Sequence, residues 1–269
     1  MDNKQLAILG AGNIGTAIAD GLLESNAFQP GQLMLTRRKT HRLDRFREKN
    51  VQVSSDNLSA VNFADILLIA VEPQQIDELL TEIASAVQAG RHTLVSVVTG
   101  VSIEQIQAKV GQDVAVVRAM PNTAISLRES ITCLASTTGG EALDIGQSIF
   151  NTVGETVVID EELMGAATAL GACGIAFFLR AIRAASQGGI EIGFNSDKAL
   201  LIAAQVAKGA AELILKKAQH PEAEIDKVTT PRGVTIAGLN QMEHEGFSSA
   251  MIKGIVTSAN KAQGVYKKD

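Results

Sequence analysis

Gln5-Leu-Ala-Ile-Leu-Gly10-Ala-Gly-Asn-Ile-Gly15 is the stretch of the chain that decides the fold. It begins with a short aliphatic run that ends in glycine, which is typical of a buried β-strand. From Asn13 onward apolar residues recur at helical spacing, so a helix is predicted to follow directly. The glycines form a G-x-G-x-x-G at the turn between strand and helix, the context in which this pattern is informative. The sequence therefore predicts the first strand–turn–helix unit of a dinucleotide-binding fold.

Each glycine of this turn has a predicted role. Gly10 permits the tight turn, Gly12 lets the backbone approach a pyrophosphate, and Gly15 permits close packing of the helix on the strand. Asn13 and Ile14 open the helix, where free backbone N–H groups and a partial positive charge favour phosphate. All five residues are predicted to contact the cofactor.

The end of the second predicted strand indicates which dinucleotide is bound. An NAD-dependent enzyme usually has Asp or Glu there, for the ribose hydroxyls. This chain instead has Thr36-Arg37-Arg38-Lys39. Because Arg can bind a phosphate through two hydrogen bonds, Thr36, Arg37 and Arg38 are predicted to recognise the 2′-phosphate of NADPH, with NADH as an alternative cofactor.

Strands and helices alternate along the first part of the chain and then stop alternating. Strands are predicted at residues 5–9, 33–36, 51–53, 64–71, 93–98, 114–119, 131–135 and 156–159. Beyond them only helices are predicted, at 163–185, 196–217, near 225, 234–243 and 247–266. Alternation of this kind favours parallel βαβ units. The predicted fold class is α/β, with a Rossmann-type dinucleotide-binding domain over residues 1–160 and an all-α substrate and dimerisation domain over residues 161–269.

Composition argues against several kinds of partner. The chain has 24 basic and 29 acidic residues in mixed order, a net charge of −5, which disfavours nucleic acid as a partner. Cys133 and Cys173 suit neither a disulfide framework nor a metal site, and both are predicted to be small buried residues. The densest apolar run, 66–71, is far shorter than the ~20 residues of a membrane helix. With no signal-peptide pattern at its start, the protein is predicted to be cytoplasmic, without a bound metal.

One C-terminal segment indicates self-association. Residues 199–215 are apolar on nearly every face of their predicted helix. Such a helix must be covered all round, which a domain of about 110 residues cannot easily do alone. A second subunit is therefore predicted to cover it, giving a homodimer through the C-terminal domain; a larger homo-oligomer stays open.

The carboxyl ends of the strands are where open α/β sheets bind ligands. Three segments follow predicted strands there: Ala70-Val-Glu-Pro-Gln74, Val98-Thr-Gly100 and Ala119-Met-Pro-Asn-Thr123. The nicotinamide is expected among them. The further predicted cofactor contacts are Asn57, Ala70, Val71, Pro73, Met120, Pro121 and Asn122.

Several motifs, taken together, resemble the pyrroline-5-carboxylate reductase family along nearly the whole chain. They are G-x-G-N-I-G at 10–15, A-V-x-P-Q at 70–74, R-x-M-P-N-T at 118–123, and Asp226-Lys-Val-Thr-Thr-Pro-Arg-Gly-Val-Thr-Ile-Ala-Gly-Leu239. The last is similar to the family's V-T-S-P-G-G-T-T-x-x-G-L. The resemblance implies a small-molecule substrate, 1-pyrroline-5-carboxylate, and its reduction to L-proline by hydride transfer, the last step of proline synthesis. It also implies a dimer formed through the helical domain.

The segment 226–239 has chemistry of its own that agrees with this. Thr229 or Thr230 is suited to cap a helix whose first turn contains Pro231. The free N–H groups of that turn would form a socket for a substrate carboxylate. The resemblance places Thr235 beside the substrate nitrogen, as the catalytic residue. The predicted substrate contacts are Thr230, Pro231, Arg232, Gly233 and Val234.

Reduction of a cyclic imine needs no strong base, because the substrate can arrive protonated. Consistent with this, the predicted interdomain helix carries neither Lys nor His over residues 165–178. The chain's four histidines are predicted to be surface residues rather than proton donors. They are His41, His92, His220 and His244.

Three departures from the family pattern leave the substrate open. Glu72 replaces a Lys, Arg232 replaces the first Gly of P-G-G, and Cys173-Gly-Ile-Ala-Phe177 replaces S-G-P-A-Y. The first two suggest that one charge change compensates the other; alternatively, Arg232 helps to hold the substrate carboxylate. Two other functions remain: reduction of a related cyclic imino acid or keto acid, or a regulator that binds dinucleotide without turnover.

Overall fold

The structure is a computed structural model and describes residues 4–266. Its strands are β1 (Leu6–Leu9), β2 (Leu33–Thr36), β3 (Gln52–Ser54), β4 (Ile66–Ile69), β5 (Thr93–Ser96), β6 (Ala115–Met120), β7 (Ser130–Ser136) and β8 (Gly154–Val158). Its helices are α1 (Asn13–Glu24), α2 (Asp44–Arg47), α3 (Asn57–Phe63), α4 (Ile76–Ile83), α5 (Ile103–Val110), α6 (Gly140–Phe150), α7 (Met164–Ala167), α8 (Gly174–Glu191), α9 (Ser196–Lys217), α10 (Pro221–Val228), α11 (Val234–His244) and α12 (Phe247–Tyr266).

All the strands form one sheet, in the order β3-β2-β1-β4-β5-β6-β7-β8. Strands β1 to β6 are parallel, so their carboxyl ends share one edge. Strand β7 is antiparallel to β6, and β8 is parallel to β7. The predicted parallel pairing therefore holds from β1 to β6 and between β7 and β8, but not between β6 and β7. The connection from β6, residues 121–129, is shorter than the dozen or so residues that a parallel crossover needs.

The central strands β1, β2 and β4 are buried on both faces, as their unbroken apolar sequences predict. Along β1, Leu6 and Ile8 belong to a core shared with α1 and α6. Ala7 and Leu9 point the other way, into a core shared with α3, α4 and α5. This two-layer packing fixes the carboxyl ends of the central strands, where the glycine turn lies.

Capping side chains start two of the helices. The Ser102 side chain accepts from the Gln105 N–H, and the Gln105 side chain accepts from the Ser102 N–H, so the two side chains cap α5 together. The Asp56 carboxylate caps α3 by accepting from the N–H groups of Leu58 and Ser59. Helix α3 is not among the predicted helices, although an Asp directly before an apolar turn is a recognised start signal.

The predicted helix over residues 163–185 is interrupted. After α7 the chain makes a π-helical turn, Thr168–Ala172, in which the Cys173 N–H donates to the Thr168 carbonyl at 2.9 Å. Helix α8 then continues to Glu191. By length and composition alone, Glu161–Glu191 is the one described stretch apolar enough to cross a membrane, and core helices of soluble proteins pass the same test. The absence of a membrane partner stays a prediction.

The chain divides into two compact units, residues 1–173 with 259–269, and residues 174–258. The first holds the whole sheet; the second holds α8 to α11. The boundary predicted near residue 160 stays a prediction. Beyond β8 the described residues contain helices and turns but no strand, as predicted.

Helix α9 has the bounds that the sequence predicts. The Asn195 side chain caps it by accepting from the Lys198 N–H at 3.0 Å. Within this single chain Ala199 is its one buried residue. Its large apolar side chains are exposed, namely Leu200, Leu201, Ile202, Val206, Leu213 and Leu215. The second unit therefore leaves this helix uncovered.

Candidate cofactor site and substrate segment

A cleft of about 780 Å³ lies at the carboxyl edge of the sheet, in the first unit. It is built by the glycine turn after β1, the basic turn after β2, the start of α3, the segment after β4 and one face of α4. Its lining residues are Gly10, Gly12, Thr36, Arg37, Arg38, Lys39, Arg42, Ser55, Asn57, Ala70, Val71, Glu72, Gln75, Glu78, Leu79 and Glu82.

The glycine turn has the geometry that its sequence predicts. Gly10 has a φ of +82°, and a Cβ there would overlap Val71 Cγ1. A Cβ on Gly15 would lie 2.9 Å from Ile8 Cγ2, so this glycine does allow α1 to pack closely on β1. At Gly12 the nearest atom to an added Cβ is the Gly10 carbonyl oxygen, 3.8 Å away. The backbone at Gly12 therefore faces open space in the cleft.

The amino end of α1 offers donors without acceptors. Gly12 is its N-cap and has no capping side chain, and no acidic residue lies in the first turn. Within residues 4–266, the backbone N–H groups of Asn13, Ile14 and Gly15 have no hydrogen-bond acceptor. The first helical bond runs from the Thr16 N–H to the Gly12 carbonyl at 2.9 Å. An anion at this helix end would satisfy the free groups.

A chain of side-chain hydrogen bonds links three walls of the cleft. The buried Thr36 hydroxyl accepts from the Gly10 N–H at 3.4 Å and donates to Asn57 Oδ1 at 2.7 Å. Asn57 Nδ2 then donates to Glu82 Oε2 at 3.0 Å. Asn57 and Thr36 thus lie together in the cleft, as two predicted cofactor contacts should. The link to Glu82 was not predicted, because nothing in the sequence pairs the start of α3 with the end of α4.

Cations and carboxylates both line the cleft. Arg37 is half-buried and donates from its guanidinium to the Ala11 carbonyl at 3.1 Å, which ties the basic turn to the glycine turn. Arg38, Lys39 and Arg42 are exposed. The carboxylates are Glu72, Glu78 and Glu82. Free guanidinium groups at the end of β2 suit a phosphate there.

The other predicted cofactor residues lie outside the cleft lining. Pro73 begins the turn before α4, and Met120, Pro121 and Asn122 are buried at the end of β6. The Asn122 side chain is already engaged: it donates to the Gly171 carbonyl and accepts from the Ala124 N–H. Contact of these four residues with a cofactor stays a prediction.

A carboxylate fastens the chain after β8 to the sheet. Glu161 Oε1 accepts from the Arg118 guanidinium at 2.9 Å and from the Ile103 N–H at 2.7 Å. The Arg118 side chain is buried, and Glu161 is about one-quarter exposed. Because Ile103 opens α5, one oxygen joins β6, α5 and the turn that leads into α7.

The predicted substrate segment lies in the second unit, and its cap differs from the prediction. Helix α11 begins at Val234 with Gly233 as N-cap. The expectation that Thr229 or Thr230 caps it, with Pro231 in the first turn, is wrong. Instead the Thr230 carbonyl accepts from the Gly233 N–H at 2.8 Å, forming a tight turn before the helix.

The turn before α11 requires glycine at position 233, because a side chain there would have no space. A Cβ there would lie 2.6 Å from Thr230 Oγ1 and 2.9 Å from the Thr230 carbonyl oxygen. The side chains of Val234 and Thr235 are exposed in the first turn of α11. Among the described residues, their N–H groups have no acceptor. Free N–H groups therefore lie at this helix end, one turn later than a Thr cap would place them, and their binding of a carboxylate stays a prediction.

One histidine and both cysteines differ from their expected environments. His92 is 2% exposed, so the expectation of a surface residue is wrong for it. Its Nδ1 accepts from the Gln88 N–H at 2.8 Å. Burial lowers the pKa of His92, and the charge of Arg91 lowers it further. Cys133 and Cys173 are half-buried rather than buried, and burial raises the pKa of the Cys133 thiol, which disfavours a nucleophilic thiolate.

Comparison with known proteins shows which family the chain belongs to. A family model described as pyrroline-5-carboxylate reductase dimerisation matches residues 161–265. One described as NADP oxidoreductase, coenzyme F420-dependent, matches residues 5–100. Pyrroline-5-carboxylate reductase 2 of Dictyostelium discoideum is 48% identical over 97% of this chain and 93% of its own length. The chain belongs to the pyrroline-5-carboxylate reductase family.

Other members of the family agree, with one difference in length. Pyrroline-5-carboxylate reductase 1 of Dictyostelium discoideum is 50% identical over 97% of this chain, which spans only 50% of that relative. The solved structure of a family member from Coxiella burnetii has 26% identity and a TM-score of 0.94, covering 99% of this chain and 100% of its own. The Plasmodium falciparum structure, solved with NADP bound, has 24% identity and a TM-score of 0.86, covering 99% and 100%. The predicted resemblance and fold class are confirmed.

The family pattern explains one backbone feature of the substrate segment. Arg232 has a φ of +61°, in the left-handed region that favours glycine. The family's P-G-G has a glycine at this position. Arg232 therefore occupies a conformation that suits the residue it replaces. Its proposed pairing with Glu72 stays a prediction, because the two residues belong to different units.

Proposed function

We propose that this protein reduces 1-pyrroline-5-carboxylate to L-proline with NADPH as the preferred hydride donor. The observation that carries the proposal is 48% identity over nearly the full length of both chains to a relative named pyrroline-5-carboxylate reductase. The substrate segment around Thr235 supports it, because the first turn of α11 offers free N–H groups beside a hydroxyl.

The cleft fits NADPH. Gly12 faces open space where a pyrophosphate would lie, and the N–H groups of Asn13 and Ile14 await an anion. Arg37 and Arg38 offer guanidinium groups where a 2′-phosphate would lie, since adenosine binds at the end of β2 in this fold. When bound, NADPH supplies the hydride and leaves as NADP⁺.

The chain's own residues hold and orient the imine. The N–H groups of Val234 and Thr235 bind its carboxylate at the amino end of α11. The Thr235 hydroxyl hydrogen-bonds the ring nitrogen. Hydride adds to C5 of the ring, and the electron pair of the C=N bond moves to the nitrogen. Because that nitrogen already carries its proton, no side chain has to act as an acid, and the product is the secondary amine of proline.

We further propose that the working form is a homodimer in the cytoplasm, built through the helical domain, with a larger homo-oligomer as an extension. The dimerisation family model covers residues 161–265. The exposed Leu201, Val206 and Leu215 of α9 supply an apolar surface for the second copy. Light scattering on the purified protein tests this directly: a monomer at micromolar concentration would refute it.

The first experiment mixes the protein with NADPH and pyrroline-5-carboxylate and follows the absorbance of reduced nicotinamide, with proline measured at the end. Thr235→Ala is run alongside. The matched control is Thr229→Ala, whose hydroxyl only donates to the Asp226 carbonyl. The proposal predicts rapid oxidation that yields proline, slowed in Thr235→Ala and unchanged in the control.

Two other outcomes would point elsewhere. NADPH oxidation with a different cyclic imino or keto acid, but not with this substrate, would redirect the assignment to that acid. NADPH binding without oxidation by any imine would favour a dinucleotide-binding regulator.

A further inference from the structure

The side chain of Asn122 joins two segments that the proposed reaction depends on. It follows β6 in the R-x-M-P-N-T motif and is 6% exposed. Its Nδ2 donates to the Gly171 carbonyl at 3.1 Å, and its Oδ1 accepts from the Ala124 N–H at 3.0 Å. Its backbone N–H donates to Ser130 Oγ at 3.1 Å. The amide is thus fixed in one orientation, with its donor directed at residue 171.

Gly171 lies in the π-helical turn Thr168–Ala172. Such turns are rare, cost stability and occur often at functional sites. A Cβ at Gly171 would already lie 3.9 Å from Ile131 Cγ2, so this turn packs against β7 as well as against Asn122. Ile131 lies in β7 and Asn122 directly follows β6, and together they hold the turn at the carboxyl end of β6.

The family pattern suggests why Asn122 donates a hydrogen bond to the Gly171 carbonyl. Where the family has the Pro of S-G-P-A-Y, this chain has Ile175. In an α-helix the N–H of residue 175 is the donor for the carbonyl of residue 171, and a proline has no such N–H. Asn122 Nδ2 is a donor to that same carbonyl. The side chain thus supplies the hydrogen bond that the family's proline would remove.

We propose that Asn122 is a positioning residue for hydride transfer. Its amide fixes the loop after β6, where the nicotinamide is expected, against the turn from which α8 leads into the unit that carries Thr235. The inference rests on the proposed function for its kinetic part only. Loss of the amide donor lets the two segments move apart, which slows transfer. Both ends of the amide are engaged within the protein, so the predicted cofactor contact of Asn122 is assigned to its backbone, which the side-chain changes keep.

The kinetic test compares Asn122→Ala and Asn122→Asp with the wild type. Asn122→Asp keeps the acceptor for Ala124 and removes the donor to Gly171. The matched control is Gln107→Ala, which removes another side-chain amide bond to a backbone carbonyl, that of Val114 at 2.9 Å. Both Asn122 variants should lower kcat by about ten- to a hundredfold, leave the Kd for NADPH within about twofold, and raise the primary isotope effect with deuterated NADPH. Gln107→Ala should lower Tm only. An unchanged isotope effect in both Asn122 variants would overturn the proposal.

A second test needs no turnover. Ile175→Pro restores the family residue at the second position of α8, where proline is tolerated. It should change Tm little in the wild type, because the Gly171 carbonyl keeps its donor. In the Asn122→Ala background it should lower Tm by clearly more than the two single changes together. If the Asn122→Ala and Ile175→Pro changes lower Tm additively, the hydrogen bond from Asn122 to Gly171 does not hold the turn. If the wild type failed to reduce the imine, the proposed function would fall while this arm still decided whether Asn122 holds the turn.

Discussion

The Thr36 hydroxyl donates to Asn57 Oδ1 at 2.7 Å and accepts from the Gly10 N–H, so one buried side chain connects the glycine turn to the start of α3. Thr36→Val removes this hydroxyl, so the Gly10 N–H and Asn57 Oδ1 both lose a hydrogen bond. The free energy of unfolding should fall by about 1–3 kcal/mol, as for unsatisfied buried groups, and NADPH should bind more weakly. Urea unfolding and titration with NADPH measure the two effects. Thr36→Ser keeps the hydroxyl and should restore most of both; a Ser variant as impaired as Val would contradict the role of the bond.

Substitutions at Gly12 and Gly10 should affect NADPH binding and thermal stability differently. A Cβ at Gly12 meets only the Gly10 carbonyl oxygen at 3.8 Å, whereas one at Gly10 overlaps Val71. Gly12→Ala should therefore keep a Tm near that of the wild type and lose NADPH affinity, because the methyl group occupies the place of the pyrophosphate. Gly10→Ala should lose both. Calorimetric titration and thermal unfolding give the comparison, and full NADPH affinity in Gly12→Ala would remove the pyrophosphate from this turn.

Arg37 and Arg38 should give the protein a higher affinity for NADPH than for NADH. Replacing both with Ala should weaken NADPH binding by about 1.5–3 kcal/mol, the range for charged hydrogen bonds, which is more than tenfold. NADH lacks the phosphate and should lose much less. Kd values for both cofactors are the measurement, with Arg47→Ala as a control, since Arg47 pairs with Asp44 away from the cleft lining. Equal losses for NADPH and NADH would refute the assignment of the 2′-phosphate.

Arg232 allows backbone conformation and charge to be tested apart. Arg232→Gly relieves a left-handed conformation with φ +61° and should raise the free energy of unfolding by up to about 1 kcal/mol. Arg232→Ala keeps the strain and removes only the guanidinium, so it should not stabilise. If Arg232 holds the substrate carboxylate, KM rises in both variants. An unchanged KM in both would exclude that role. The charge pairing is tested separately by a double-mutant cycle of Glu72 and Arg232, in which zero coupling means that they do not interact.

His92 should make stability depend on pH. Its pKa in the folded protein is lowered from 6.5, so below that value the unfolded chain binds the proton more readily than the folded one. The free energy of unfolding should therefore fall as pH decreases through the window just below 6.5, and be fully recovered above it. His92→Gln should flatten this dependence. His41→Gln, at an exposed site, should not, and equal slopes for all three proteins would contradict the prediction.

Much of the architecture follows from local sequence. Helix α9 begins and ends at the predicted residues, 196 and 217, and the glycine turn has the conformation that its spacing requires. The antiparallel β7 was missed because an apolar run does not state strand direction; the short connection 121–129 is the signal that would have revealed it. The start of α11 at residue 234 was predicted correctly, but its cap was assigned to the wrong residue because a Thr-Thr-Pro pattern favours a cap. The actual turn depends on the lack of a side chain at Gly233.

The site was predictable where it is local and unpredictable where it is not. The glycines and the basic turn lie within short stretches, and their residue types limit their chemistry. The bonds from Asn57 to Glu82 and from Asn122 to Gly171 join residues far apart in sequence. Neither pairing has a periodicity, and the π turn at Thr168–Ala172 has no composition of its own. Such contacts are set by tertiary packing, so they cannot be predicted from a single sequence.

The carboxylate of Glu161 gives the junction after β8 a natural reporter. The N–H of Ile103 is the first of α5 and has no partner inside its own helix, so its acceptor is Glu161 Oε1. Hydrogen exchange at that amide requires the bond to open. The rate at which Ile103 takes up deuterium therefore measures how often the chain between the sheet and α7 detaches. Tryptophan fluorescence could not report this motion, because the chain has no tryptophan.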